Sequence, residues 1–239
     1  MDTENKISVV EDEGQSGLLA LKDYKETAKR FVAFLDIMGF KDRVARTPHK
    51  DLLDQLSDFI TKVSRYIGQY DKNEIKLAQF SDSIVLFSND DSRESLRIIA
   101  NATREIMRTA LSQDVPIPLK GAIALGEITC DFSKQLFFGQ ALIDAFLLEE
   151  NTNYYGVLVH NSAEQAVIDF ADPTAFKDIE APLKGGNISH YELSWYIDPL
   201  SDFKLDDVKS ALRKIRLTVS DYPRKYIDNT LNVISNNYK

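Results

Sequence analysis

The order of apolar periodicities along the chain predicts an α+β fold: a ferredoxin-like βαββαβ core with an extra C-terminal hairpin and helices. Three observations carry that expectation. Residues 31 to 37, FVAFLDI, form an apolar run of strand character that ends on a carboxylate. Residues 48 to 70 and 93 to 111 carry apolar side chains at three- and four-residue spacing, the helical period. Residues 77 to 87, LAQFSDSIVLF, read as two short strands about a tight turn.

The first strand is expected over residues 30 to 37, after a polar stretch (18 to 29) that suits a short helix or an edge strand. Leu52, Leu53, Leu56, Phe59, Ile60, Val63 and Ile67 mark the first helix, and Gly68 weakens its end. Strands at 74 to 79 and 83 to 88 flank FSD. The run NDDS at 89 to 92 offers N-cap chemistry to a second helix, with Leu96, Ile99, Ala100, Ile106 and Met107 on one face. Pro116 and Pro118 close that helix, and residues 118 to 128 form the fourth strand, where Gly121 and Gly126 suggest a bulge or a close backbone approach. A third helix (139 to 150), a strand (156 to 160) and a short helix capped by Asn161 or Ser162 follow. Residues 176 to 196 form a hairpin around Lys184, Gly185, Gly186 and Asn187, and amphipathic helices at 204 to 218 and 223 to 236 end the chain. The expected organisation is an acidic mobile tail (1 to 17), a main domain (18 to 198) and a helical extension (199 to 239).

Composition narrows the function. The net charge of −8 over 239 residues argues against general nucleic-acid binding, which needs a basic surface to displace counterions. A polyanionic small ligand stays compatible if a divalent cation supplies the positive charge. Cys130 is the sole cysteine, so no intramolecular disulfide forms. No apolar run is long enough to span a bilayer and the acidic N-terminal stretch has no signal-peptide character, so the expected location is the cytoplasm, with no membrane partner.

The candidate site follows from the topology. In a ferredoxin-like sheet the first and third strands are antiparallel neighbours, about 4.8 Å apart. Asp36 ends one and Asp82 begins the other, so both carboxylates fall at the same edge. An isolated Asp at a strand end usually solvates a turn. Two that converge repel each other and call for a cation, for which hard oxygen donors favour magnesium or manganese. Strand alternation puts Val32, Phe34 and Asp36 on one face, where Phe34 reads equally as a base-stacking ring or as core. The turn Ile37, Met38, Gly39, Phe40 can aim backbone N–H groups at a phosphate. Lys184, at a glycine-flanked hairpin tip, is either a phosphate-gripping cation or a solvated turn residue. Lys120 needs a carboxylate partner, Glu127 or Asp36. His49, His160 and His190 lack ligand spacing, and Cys130 reads as core.

FLDIMGF, FSDSIVLF, LKGAIALGE, FGQALIDAFLLE and LKGG, in that order, resemble the class III nucleotidyl cyclase domain over about residues 30 to 196. The likeness is greatest to the compact bacterial pyrimidine cyclases of Pycsar anti-phage defence, which make cyclic UMP or cyclic CMP. The resemblance implies a class III cyclase fold, two Mn2+ or Mg2+ ions per site, and a homodimer with the site at its interface. It implies that Asp36 and Asp82 hold metal, that Ile37 lends a backbone carbonyl, and that the Ile37–Phe40 turn binds phosphate. Lys184 would reach the triphosphate bound by the partner subunit, and a cyclic-nucleotide-responsive effector would act downstream. Purine cyclases carry Asn and Arg where this chain has Ile143 and Leu147, an adenine-reading Lys at Ala78, and a polar residue at Leu136. Those departures fit a UTP or CTP cyclase, and also a catalytically inactive nucleotide-binding homologue; a purine cyclase with an unusual pocket is the remaining alternative.

Overall fold

The structure is a computed structural model and describes residues 23–196 and 203–238. The expected tail (1 to 17) and the first part of the 18 to 29 stretch lie outside the described residues. The elements run β1 (Thr27–Ile37), α1 (Phe40–Arg46), α2 (His49–Ile67), β2 (Ile75–Phe80), β3 (Ser83–Ser88), α3 (Arg93–Leu111), β4 (Leu119–Asp131), β5 (Leu136–Gly139), α4 (Gln140–Asn151), β6 (Val157–Val159), α5 (Asn161–Phe170), β7 (Phe176–Leu183), β8 (Gly186–Leu193), α6 (Leu205–Arg216) and α7 (Tyr222–Asn237).

The sheet order is β2-β3-β1-β4-β6-β8-β7, with β5 pairing on β4. The expected βαββαβ core is present, and β1 lies in its middle, antiparallel to both β3 and β4. β6 then extends the sheet parallel to β4, and the β7–β8 hairpin completes it. Alternation along β1 divides the chemistry. Phe31, Ala33, Leu35 and Ile37 enter the main core with Phe59 and Val63 of α2 and Leu96, Ile99 and Ile106 of α3. Val32 faces the other way, into a smaller cluster with Phe87, Ile128, Cys130 and Ala141. Burial of each large apolar side chain stabilises the fold by about 1.5–3 kcal/mol, which is what fixes this register.

Several details correct the sequence expectations. Residues 27 to 29 belong to β1, which is longer than the apolar run because its outer end pairs with an equally extended β4. Helix α1 and strand β5 were not expected; each is too short to carry a period. The N-cap of α5 is His160, whose Nδ1 accepts the Ser162 N–H at 3.3 Å, in place of Asn161 or Ser162. Gly121 does mark a close approach: a Cβ there would stand 2.3 Å from Leu35 Cδ2 and 2.5 Å from the Phe34 carbonyl oxygen. At Gly126 a Cβ would only touch Ala141 at 3.4 Å, an ordinary contact. On a point the sequence leaves open, helices α6 and α7 pack on the core: Val208, Leu212, Ile227, Val233 and Ile234 belong to the main cluster. Among the described residues no helix is long and apolar enough to cross a membrane.

Candidate active site

The β1–β3 register sets Asp36 opposite Ser83, and Asp82 immediately precedes Ser83. Asp82 belongs to the two-residue Ser81–Asp82 turn between the paired Phe80 and Ser83, with Ser81 in the left-handed region at φ 54°. The Ile37 N–H donates to the Asp82 carbonyl at 3.0 Å, which locks the turn against the end of β1. Asp36, Ile37 and Asp82 therefore share one end of the central strand pair.

The electrostatics there are unbalanced. Burial first, and then the Glu149 and Asp82 carboxylates, push the Asp36 carboxyl up to about 7, against Lys120 and a hydrogen bond from Ser83. A carboxyl held up by neighbouring carboxylates is a site short of positive charge. Its donors are hard oxygens, and a divalent Mg2+ or Mn2+ fits them. Among the described residues no three His, Cys, Asp or Glu side chains group closely enough to hold an ion alone.

Lys120 sits directly across from Asp36 on β4 and is buried, yet it bonds neither of the carboxylates anticipated for it. Glu127 lies farther along β4, opposite Lys29. The Lys120 ammonium instead lies 2.9 Å from Glu149 Oε1 and donates to the carbonyls of Glu149 at 2.7 Å and Thr152 at 3.2 Å. The end of α4 reaches over β4 at this point, a tertiary contact that strand pairing alone does not specify. Glu149 is thus a site residue that the sequence reading missed. A lone lysine inside the apolar run PLKGAIAL was the available signal, since a buried ammonium demands an acid somewhere.

The turn after Asp36 divides in two. Ile37 and Met38 spend their N–H groups inside the protein, the latter on the Pro118 carbonyl at 2.9 Å. Gly39 adopts φ 71°, a left-handed conformation that glycine takes without strain, and α1 begins at Phe40 with no side-chain cap. Only the Gly39–Phe40 half can present free N–H groups to an anion.

Phe34 is half-buried and lines a cavity of about 600 Å3 with Ala78, Phe80, Phe137, Ile143 and Phe146. Its ring meets Phe146 edge-on, with centroids 5.5 Å apart at 82°. The cavity adjoins Ser83 and so borders the carboxylate end of the sheet. Of its lining, Phe80 is 85% exposed and Ile143 is exposed too; Leu136 and Phe138 of β5 and Leu147 of α4 are further exposed apolar side chains on the neighbouring elements. Ile143 lines the cavity, Leu147 does not, and Leu136 sits on β5.

Lys184 lies at the β7–β8 tip, its ammonium exposed and 3.8 Å from Glu150 Oε1. Its N–H donates to the Asn151 carbonyl at 2.9 Å, so the tip is tied to the end of α4. Of the remaining residues considered, Cys130 is buried and free in the smaller core, and His49 begins α2. His190 Nδ1 lies 3.8 Å from Glu164.

No protein-family model and no curated protein matches the chain. Solved structures do. The catalytic core of a rhodopsin-guanylyl cyclase with converted specificity, in complex with ATPalphaS, aligns with TM-score 0.55 at 15% identity, over 71% of this chain and 97% of that one. The guanylate cyclase domain of RhGC from Catenaria anguillulae, in complex with GTP, gives 0.55 at 14% identity over 71% and 98%. A bacterial light-regulated adenylyl cyclase gives 0.54 at 13% identity over 82% and 100%. The chain has the α+β fold of class III nucleotidyl cyclase catalytic domains.

Proposed function

We propose that the protein is a pyrimidine nucleotide cyclase, converting UTP or CTP to the 3′,5′-cyclic monophosphate and pyrophosphate. The observation that carries this reading is the convergence of Asp36 and Asp82 at one end of β1 and β3, beside a cavity that can take a base. Asp36, Asp82 and the Ile37 carbonyl would hold two Mn2+ or Mg2+ ions. Bound there, the ions supply activation of the 3′-hydroxyl and neutralisation of the triphosphate. The protein's own groups do the rest. Phe34 offers a ring face to the base, the Gly39–Phe40 N–H groups meet phosphate oxygens, and Lys184 stabilises charge on the departing pyrophosphate.

Pyrimidine preference is supported by the cavity wall. Ala78 and Ile143 supply no side-chain hydrogen bond at positions where the resemblance expects purine-reading groups. A homodimer is supported by the exposed apolar side chains at and beside the same cavity, a surface that a second copy would cover. Lys184 would then act on the site of the partner subunit. In this proposal residues 18 to 198 are the catalytic domain, and the product serves a cyclic-nucleotide-responsive effector in anti-phage defence.

Purified protein incubated with manganese and each of the four nucleoside triphosphates, with products identified by chromatography, tests the proposal. Cyclic UMP or cyclic CMP as the main product is expected. A cyclic purine product would overturn the specificity. Triphosphate binding without any product would establish the inactive-homologue reading.

A further inference from the structure

We infer that Asn229 and Thr230 of α7 are positioning residues for the candidate site, acting through one buried turn between α4 and β6. The inference rests on the cyclase reading for its catalytic consequence, though its structural half stands independently.

The segment runs from Glu149, in the last turn of α4, to Gly156; Glu149 and the residues from Thr152 on are buried, while Glu150 and Asn151 are exposed. The buried backbone polar groups need protein partners, because water cannot reach them. The Tyr196 hydroxyl lies 3.2 Å from the Tyr155 carbonyl oxygen, and other partners come from three elements. From β4, the Lys120 ammonium takes the Glu149 and Thr152 carbonyls, and the Gly121 N–H takes the Gly156 carbonyl at 2.9 Å. From the β7–β8 hairpin, the Lys184 N–H takes the Asn151 carbonyl and the Pro182 carbonyl takes the Asn153 N–H, each at 2.9 Å. From α7, Asn229 Nδ2 donates to the Asn153 carbonyl at 2.7 Å, and the Thr230 hydroxyl accepts the Tyr155 N–H at 2.9 Å. The Tyr155 and Tyr226 rings stack beside them, with centroids 6.0 Å apart.

The turn is therefore the only joint described that bonds directly to both the lysine opposite Asp36 and the backbone of Lys184. The sheet joins β4 to the hairpin through β6. Helix α7 adds side-chain hydrogen bonds that hold the turn from its outer side. Thr230 is fully buried and its hydroxyl also donates to the Tyr226 carbonyl at 2.6 Å, so its orientation is set by the helix itself. The helical extension is, on this account, part of the scaffold that places the hairpin cation on its own chain, and so, across the proposed dimer, against the carboxylate end of the partner subunit. Misplacement by about 1 Å can cost on the order of 100-fold in rate.

The test uses the full chain and the pair Thr230→Val and Thr230→Ser. Valine keeps the shape and leaves the buried Tyr155 N–H unpaired; serine restores the hydroxyl and loses a methyl group. Hydrogen exchange of the Lys184 amide is read first, because it needs no turnover. Faster exchange at Lys184 in Thr230→Val, restored in Thr230→Ser, is the expected result. With the selected triphosphate, at a temperature where circular dichroism shows both variants folded, kcat should fall about tenfold in Thr230→Val with KM changed less than about threefold. Thr230→Ser should stay within about twofold of the parent on both. Unchanged Lys184 exchange in Thr230→Val, or a lowered melting temperature with unaltered kcat, would overturn the inference. A parent protein without turnover on any nucleotide would sink the cyclase reading instead, and the exchange experiment would still decide the structural half.

Discussion

Two acids in this molecule, the enclosed Glu192 and the half-buried Asp36, are both pushed up to about 7 chiefly by burial, but among neighbours of different kind. Glu192 on β8 is fully enclosed, and burial lifts its carboxyl to about 7 against hydrogen bonds from tyrosine hydroxyls. Tyr196 donates to Oε1 at 2.9 Å and Tyr238 to Oε2 at 2.8 Å, with Tyr154 beside them and the Lys177 charge also acting on it. Asp36 is less buried, and what lifts it beyond burial is other carboxylates, Glu149 and Asp82. One acid is surrounded by donors and needs nothing more. The other has two acids beside it, with Lys120 across from it already paired to Glu149, and on the proposed function it takes a cation. A raised carboxyl does not by itself mark a functional site; the sign of its neighbours separates a structural acid from a ligand.

The comparison breaks most visibly under substitution. Asp36→Asn should lower turnover by about 1,000-fold if the anion holds metal as proposed, while the melting temperature stays level or rises as carboxylate repulsion is relieved. Parallel kinetics and thermal melts check both halves; a large fall in melting temperature would make Asp36 a structural acid like Glu192. Glu192→Ala should do the reverse. It leaves buried tyrosine hydroxyls unpaired around a cavity, at a cost of about 3 kcal/mol, readable in denaturant unfolding. Cyclase activity measured well below the transition should persist.

The smallest effect sharpens the contrast through pH. The folded-state pKa of Glu192, about 7, lies above its ordinary value of 4.5, so folding favours the protonated form. Its contribution to stability is fully present below pH 4.5 and is lost as the pH rises towards 7, where the unfolded chain has already given up its proton. Unfolding curves between those limits should show this downward slope, and Glu192→Gln should flatten it. An unchanged slope in that variant would assign the dependence to other groups.

What the sequence made legible follows the same division. Strand alternation and βαββαβ topology suffice to bring Asp36 beside Ser83, because backbone pairing alone determines that neighbourhood. Alternation alone reads Phe34 equally as core or as a stacking ring; it lines the cavity, half-buried, with its ring edge-on to Phe146. Contacts made by helices crossing the sheet were not legible. Lys120 found Glu149 rather than Glu127 or Asp36 because the end of α4 folds back over β4. The Glu192 cage draws Tyr154, Tyr196 and Tyr238 from separate parts of the chain with no shared period, so no pattern announces it. His160 was set aside as lacking ligand spacing, yet its ring caps α5, a role usually filled by Ser, Thr, Asp or Asn.

The account stands or falls on whether Asp36 and Asp82 jointly hold cations. Manganese titration of the full chain by calorimetry, in the presence of a non-hydrolysable analogue of the preferred triphosphate, measures this directly. The account predicts two ions per site in the parent protein, and affinity weakened by about 100-fold or more in Asp36→Asn/Asp82→Asn. Manganese binding of unchanged stoichiometry and affinity in that variant would contradict it.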